Sequence, residues 1–220
     1  MLARLSGFRG SFPFVFYSDS HDGIIGLMRI VNDLDSLDLM DCEFLERSQG
    51  RAARAFVSGR LCVRALQKQL DIDEFRLPPG DFGPIWPRGL VGSISHSREL
   101  VAATILRDAE SVGIDIEKQG RLKVGAVRRV ATRRERGRYS KIANFDWTLL
   151  FSAKESIFKA VSPLVSRYIG FQDIEISLDL TNQSFSVSYL GDHIEKELFR
   201  RSRGQWGKVT DHLITVVTVD

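Results

Sequence analysis

The segment 112–117 (VGIDIE) constrains the fold most, because it has the period of a β-strand and carries two carboxylates. Side chains alternate between the faces of a strand, so Asp115 and Glu117 project to the same side. Val112, Ile114 and Ile116 then fill the opposite, buried side. Two neighbouring like charges repel unless a cation lies between them, and Mg²⁺ binds such oxygens while keeping waters and phosphates as further ligands. Taken alone, the pattern is more typical of a solvent-facing acidic edge.

A second segment, 146–162, has helical spacing and places a lysine among its apolar residues. Lys154 must point to the interior or along a cleft wall, where its ammonium needs an anion. Glu155 and Lys159 lie at i and i+4 on the neighbouring face, and a surface ion pair explains those two well. It does not explain Lys154, so a metal-phosphate site is the better interpretation of both segments together. The apolar stripe consists of Trp147, Leu150, Phe151, Phe158 and Val161.

Two further polar positions precede these segments. The spacing over 49–70 predicts a helix, and Arg60 lies in its apolar stripe, where it needs a partner or must snorkel to the rim. His96 stands between Ser95 and Ser97 at the end of a predicted strand over 90–95. A ring nitrogen and two hydroxyls suit a phosphate, although turns of this kind are common.

Composition limits the class of protein without identifying its partner. The 220 residues are 43% hydrophobic and 27% charged, which are ordinary values for a globular chain with a real core. The net charge of +3 favours acidic partners, and nucleic acid, an acidic protein and a polyphosphate cofactor all stay open. Cys42 and Cys62 are the only cysteines, which argues against a disulfide scaffold or a zinc site and predicts a cytoplasmic protein. The apolar run 12–17 is too short for a signal sequence or a membrane span.

The remaining segments predict a mixed α/β chain. The segment 76–89 holds four of the six prolines and predicts a loop with rigid turns. A basic helix is expected over 123–140 and irregular structure with short helical pieces over 24–47. Further strands are expected over 11–17, 100–106, 111–117, 171–178, 184–190 and 212–219.

In this order the motifs resemble those of the 4′-phosphopantetheinyl transferases of the larger, monomeric type, which activate surfactin and enterobactin synthetases. The enterobactin synthase branch is the closer match. The resemblance implies an α/β (α+β) fold of two similar subdomains related by a pseudo-twofold, 1–108 and 109–220, with coenzyme A in the cleft between them. It rests on FVSGRLCVRAL at 56–66, PIWP at 84–87, VGSISHS at 91–97, GIDIE at 113–117, FSAKESIFK at 151–159 and RYIGF at 167–171.

The resemblance also implies a reaction. The phosphopantetheine arm of coenzyme A is transferred to a serine of an apo acyl, peptidyl or aryl carrier protein, and adenosine 3′,5′-bisphosphate is released. Asp115, Glu117 and Glu155 match the metal-binding acids, for Mg²⁺ or for Mn²⁺, which fits the same oxygens. Lys154 and Lys159 match lysines near the pyrophosphate. Glu155 is in addition the candidate base for the serine proton, and Lys159 the second catalytic candidate.

The contacts to the other phosphates of coenzyme A are implied in the same way. Arg60, Ser95 and His96 match phosphate-holding positions, with Ser95 and His96 near the ribose 3′-phosphate. Relatives often carry a basic residue eight positions before Arg60, where this chain has Ala52. Arg51 or Arg54 is the expected substitute.

Two other functions stay open at this stage. One is another metal-dependent phosphotransferase or phosphodiesterase, and the other is a basic nucleic-acid-binding or protein-binding module. The segment 121–141 contains nine lysines and arginines, which is typical of a solvated helix face or of a landing surface for an acidic carrier protein. No helix-turn-helix, RRM or finger pattern accompanies it, so nucleic acid is not expected. We expect a monomer without a membrane span, serving a siderophore or other secondary-metabolite pathway.

Overall fold

The computed structural model describes residues 14–17, 22–31, 50–81, 83–165, 168–191 and 196–220, in two halves. The first half contains β1 (Phe14–Tyr17), β2 (Asp22–Arg29), α1 (Gly50–Gln69), β3 (Pro79–Gly80), β4 (Gly83–Pro84), β5 (Val91–His96) and β6 (Leu100–Leu106). The second half contains β7 (Ser111–Lys118), α2 (Val127–Val130), α3 (Arg133–Tyr139), α4 (Trp147–Val161), β8 (Ile174–Asp179), β9 (Ser184–Tyr189), α5 (Lys196–Arg201), β10 (Ser202–Val209) and β11 (His212–Val219).

Each half is an antiparallel sheet with one long helix packed on it. The first sheet has the strand order β1-β2-β6-β5 and carries α1, whose buried Cys62, Val63 and Leu66 contact β6. The second sheet has the order β7-β11-β10-β9-β8 and carries α4. This is the α+β architecture that the sequence predicts.

A third apolar core joins the two halves. Ile25 of β2 and Ala102 of β6 pack with Ile114 and Ile116 of β7 and with Ile214 of β11. The side of β7 opposite its carboxylates is therefore buried, as the alternation predicts. Since both halves contribute to this core, neither encloses all its apolar surface alone.

Most of the predicted elements are confirmed, including α1, α4, β5, β6, β7, β8, β9 and β11. The strand expected over 11–17 is confirmed at 14–17, and 11–13 lies outside the described residues. Irregular structure over 24–47 is wrong at its start, because 24–29 belongs to β2, and 32–47 lies outside the described residues. In the described part of the chain, no helix has the length and apolar character needed to cross a membrane.

The basic helix expected over 123–140 is instead two short helices. The break lies at Thr132, whose hydroxyl accepts a hydrogen bond from the Glu135 backbone N–H while the Glu135 carboxylate accepts one from the Thr132 N–H. This reciprocal capping box begins a new helix and satisfies two N–H groups that would otherwise lack partners. The prediction failed because it rested on the run of basic residues and overlooked the T-x-x-E capping signal at 132–135.

Gly113, the first residue of the acidic motif, lies directly against α4. A Cβ at this position would stand 1.9 Å from the Ser156 carbonyl oxygen and 2.6 Å from the Ala160 nitrogen. Both are backbone atoms of a buried helix, so the helix itself would have to shift. We expect Gly113→Ala to lower the free energy of unfolding by about 3 kcal/mol in urea titrations.

Gly137→Ala in α3 is the matched control, because nothing lies within 4 Å of its Cβ position. There we expect no loss, or a gain of up to about 1 kcal/mol from helix propensity. Equal losses in the two variants would contradict the account of Gly113.

Candidate active site

An open cleft of about 370 Å³ lies where the end of β5 meets β7 and α4. It brings together six of the predicted site residues from elements far apart in the chain. Asp115 and Glu117 both line it, which confirms that they project to the same side of β7. The lining consists of Ile94, Ser95, His96, Asp115, Glu117, Arg121, Phe151, Glu155 and Lys159.

Lys159 joins the two halves at the centre of the cleft. Its ammonium donates hydrogen bonds to Asp115 Oδ1 (2.8 Å), Ser95 Oγ (2.7 Å) and the Ile114 carbonyl (3.0 Å). The Ser95 hydroxyl donates in turn to Asp115 Oδ1, at 2.9 Å. Lys159 of α4 is therefore paired with the acidic strand, whereas a simple surface pair with Glu155 was the alternative interpretation.

Burial and mutual repulsion disfavour the ionised form of the glutamates in the cleft. Burial and the charge of Asp115 raise the pKa of Glu117 to about 7, against the attraction of Arg121, whose Nη1 lies 2.5 Å from Glu117 Oε1. The same two causes raise the pKa of Glu155. Asp115 Oδ2 is buried without a hydrogen-bond partner. A cation among these oxygens would relieve all three costs.

These residues fit a hard divalent cation in their chemistry. Three carboxylates, one of them with an unpartnered buried oxygen, are the donors that Mg²⁺ and Mn²⁺ prefer. Across the ranges that the structure describes, however, no three His, Cys, Asp or Glu side chains already stand as a ligand set. At least one of the three acids must therefore rotate for all of them to reach one ion.

The position of Lys154 corrects one prediction. Its side chain is 0% exposed, and its ammonium forms an ion pair with Glu135 at 2.8 Å. It also donates to the carbonyls of Val130 (3.0 Å), Phe171 (2.6 Å) and Ile174 (2.9 Å). The expectation of an interior anion is confirmed, but that anion is Glu135. The expected contact with a pyrophosphate is wrong in this structure, since protein groups enclose the ammonium completely.

The structure does not bring Arg60 or Arg54 to the cleft. Arg60 is buried, its Nη2 donates to the Leu77 carbonyl at 2.9 Å, and its guanidinium lies 4.3 Å from the centre of the Phe56 ring. These contacts give the guanidinium the partner that a charged group needs on an apolar stripe. Arg54 is partly buried on α1, and its carbonyl accepts a hydrogen bond from Ser58. Their contacts with coenzyme A stay predictions.

Arg121 and Phe151 are cleft residues that the sequence reasoning missed. The Arg121 guanidinium pairs with Glu117 and lies 5.5 Å from the centre of the Phe151 ring. The sequence pattern places Arg121 in the basic stretch and Phe151 in the apolar stripe, and neither pattern indicates a cleft. The signal available in the sequence was Gly120 just after the strand. A glycine permits the positive φ of a tight turn (69° here), and the turn leaves Arg121 beside Glu117.

The raised pKa of Glu117 predicts a pH-dependent stability. Between the ordinary value of 4.5 and about 7, the folded state binds more protons than the unfolded state, so the stability of the metal-free protein falls as pH rises through this window. Glu117→Gln removes this penalty. From pH 4.5 to pH 8, its stability relative to the unchanged protein should therefore rise by about 2–3 kcal/mol, measured by urea unfolding in EDTA.

The matched control is Glu197→Gln, on the exposed surface of α5. Its difference from the unchanged protein should stay constant with pH. If Glu117→Gln also stayed constant, the buried, repelled state of Glu117 would be contradicted.

Comparison with known proteins gives a family match for each of the two halves of the chain. A family model described as the 4′-phosphopantetheinyl transferase superfamily matches residues 111–217, and one described as the 4′-phosphopantetheinyl transferase N-terminal domain matches 43–106. The 4′-phosphopantetheinyl transferase Svp of Streptomyces mobaraensis is 32% identical over 183 residues, covering 79% of this chain and 74% of the relative. The enterobactin synthase component D of Salmonella typhimurium is 31% identical, covering 78% and 74%. The 4′-phosphopantetheinyl transferase PptT of Mycobacterium tuberculosis is 28% identical, covering 81% and 84%.

Proposed function

The chain belongs to the 4′-phosphopantetheinyl transferase superfamily, and from this premise we propose how its cleft transfers the phosphopantetheine arm of coenzyme A to a serine of an apo carrier protein. The observation that carries the proposal is the bonding of Lys159 to Asp115 and Ser95. It joins the ammonium of α4, the acidic strand β7 and the end of β5, where the two matched segments meet.

We propose that the carrier serine attacks the phosphorus that bears the pantetheine arm. A new P–O bond forms to the serine oxygen, and the bond to the bridging pyrophosphate oxygen breaks, so that adenosine 3′,5′-bisphosphate leaves. Glu155 takes the serine proton, and burial and the charge of Asp115 raise the pKa of its carboxyl, which makes the carboxylate a stronger base. Among the described residues no hydrogen bond or ion pair occupies the Glu155 carboxylate, which supports this role.

Lys159 and Arg121 supply positive charge beside the pyrophosphate. Phosphoryl transfer needs mainly positioning and charge neutralisation, because little covalent chemistry falls to the protein. Enzymes of this family use a divalent metal, and we propose Mg²⁺ held by Asp115, Glu117 and Glu155. When bound, it would neutralise charge on the pyrophosphate oxygens.

His96 is the side chain that we propose for the ribose 3′-phosphate. It is exposed at the end of β5 and lines the cleft, while the buried Ser95 hydroxyl is already bonded to Asp115 and Lys159. A role of Ser95 near that phosphate, and of Arg54 and Arg60 toward the others, is part of the same proposal. It requires these side chains to move on binding.

An exposed basic face supports an acidic carrier as the partner. α2 and the start of α3 present four solvent-exposed arginines close in the chain to Arg121. Such a face speeds the encounter with an acidic protein and makes it sensitive to salt. We propose a carrier of the siderophore or another secondary-metabolite pathway, served by a cytoplasmic monomer with subdomains 1–108 and 109–220. The four residues are Arg128, Arg129, Arg133 and Arg134.

The test is the intact mass of apo carrier proteins incubated with the enzyme, coenzyme A and Mg²⁺. We expect a gain of one phosphopantetheine arm on at least one of an acyl, a peptidyl and an aryl carrier. No gain on any of them, together with phosphate release from a nucleotide, would favour a metal-dependent phosphodiesterase instead. Neither activity, with salt-sensitive binding to DNA or RNA, would favour the nucleic-acid alternative.

A further inference from the structure

A chain of hydrogen bonds beside the cleft connects the two halves. His212, the first residue of β11, is 1% exposed, with Nε2 3.0 Å from Ser97 Oγ and Nδ1 2.8 Å from Asp211 Oδ1. Lys118 Nζ extends the chain to Asp211 Oδ2 (3.0 Å) and to Glu99 Oε1 (2.8 Å). The turn after β5 is thereby bound to the turn before β11 and to the end of β7.

The partners of Ser97 determine the direction of these hydrogen bonds. Its oxygen accepts from the backbone N–H groups of Glu99 (3.2 Å) and Leu100 (3.0 Å), which occupies both lone pairs. Its proton is therefore donated to His212 Nε2, the nearer acceptor, since the Leu100 carbonyl lies at 3.4 Å. His212 is then the tautomer whose Nδ1–H donates to Asp211.

The order Ser97, His212, Asp211 is that of a hydrolase triad, but the bonding excludes that role. A nucleophilic serine needs a free lone pair and access to substrate. Ser97 has both lone pairs occupied and is 9% exposed. The chain of hydrogen bonds can therefore hold residues in place, but it offers no nucleophile.

Ser97 is bonded on its other side to a cleft residue. The Ser97 carbonyl lies 3.2 Å from His96 Nδ1, so Nδ1–H donates to it, and Nε2 is the nitrogen that can donate to a phosphate when the ring carries both protons. We infer that His212, acting through Ser97, is a positioning residue that holds His96 against the ribose 3′-phosphate of coenzyme A. The inference rests on the proposed function.

The location of His212 explains why the tether, the hydrogen-bonded chain from Asp211 through His212 to Ser97, would matter. It pairs with Lys118 in the β11–β7 ladder, and two residues away in β7 the partners are Ile116 and Ile214, between the two acids of the metal site. The tether therefore sets the distance between the acids, which face the pyrophosphate, and His96, which faces the 3′-phosphate. An error of about 1 Å in such a distance is enough to lose much of the benefit of a positioned group.

The test compares the Kd of coenzyme A with that of 3′-dephospho-coenzyme A, by calorimetry. In His212→Leu, which removes both hydrogen bonds, we expect coenzyme A to bind about tenfold more weakly and the dephospho ligand to change by less than about twofold. His212→Gln keeps an acceptor toward Ser97 and should stay within about threefold for both ligands. Asp211→Ala, at a side chain 53% exposed, disturbs the fold less than a change at the buried His212 and should weaken coenzyme A alone by about threefold.

Arg201→Gln is the matched control, because Arg201 bonds Glu110 and Asp220 at the opposite end of β11. It should change neither Kd. Equal weakening of the two ligands in His212→Leu and Asp211→Ala, or no weakening of either, would overturn the inference. Equal binding of the two ligands by the unchanged protein would also overturn it, since no phosphate contact would exist to be positioned. Failure of the unchanged protein to bind coenzyme A at all would instead contradict the proposed function.

Discussion

Glu155→Gln is expected to lower kcat/KM for carrier modification by about 10³-fold, within the range for loss of a general base. The substitution keeps the shape of the side chain but removes both the proton acceptor and one proposed metal oxygen. Burial and the charge of Asp115 raise the pKa of Glu155 in the metal-free protein, and a bound cation lowers it, so the acid limb of the pH profile should move to lower pH as Mg²⁺ is raised. That limb should be absent from the residual activity of the variant. The measurement is the initial rate of carrier mass gain as a function of pH.

Glu110→Gln is the control, since Glu110 pairs with Arg201 on the surface, just before the buried strand β7 begins. It removes the same charge and should leave the rate unchanged. If Glu155→Gln kept more than about a tenth of the activity, Glu155 would be neither the base nor an essential metal ligand.

Lys154→Met is expected to lower the free energy of unfolding by about 3–5 kcal/mol, because it leaves the Glu135 carboxylate buried without its cation. It also leaves the carbonyls of Val130, Phe171 and Ile174 without their shared donor. The measurement is urea unfolding. Below its melting temperature, the variant should still bind coenzyme A within about threefold of the unchanged protein, since the ammonium does not reach the cleft.

The double variant Lys154→Met with Glu135→Gln separates charge from packing. With both members of the buried pair neutral, it should recover about half or more of the lost stability. A coenzyme A affinity reduced tenfold or more in Lys154→Met, with little loss of stability, would restore Lys154 as a ligand of the pyrophosphate.

The local pattern predicted the two elements that build the cleft. The alternation over 112–117 is sufficient for β7, since period two assigns each side chain to a face. Helical spacing and Pro163 bound α4 in the same way. The resemblance supplied what local patterns lack, namely that these elements meet the SISHS segment 93–97, at the end of β5, from the other half.

Partners distant in the chain could not be predicted. Lys154 was correctly expected to need an interior anion, but nothing local identifies Glu135, which the tertiary packing of the second half brings close. β10 was missed because Gly204 and Gly207 weaken its strand signal, and Gly204 is required by the Phe185 ring of the neighbouring strand. The tether at His212 depends on the same long-range packing, since its partner Ser97 lies 115 residues earlier.

The most direct test of a transferase that uses both halves of the cleft is the stoichiometry of a single reaction. Enzyme, coenzyme A, Mg²⁺ and limiting apo carrier are incubated to completion, and adenosine 3′,5′-bisphosphate and modified carrier are quantified together. The account predicts one nucleotide released for each carrier serine modified, and no nucleotide when the carrier is omitted. Release of the nucleotide without a modified carrier would show hydrolysis of the pyrophosphate and would contradict the account.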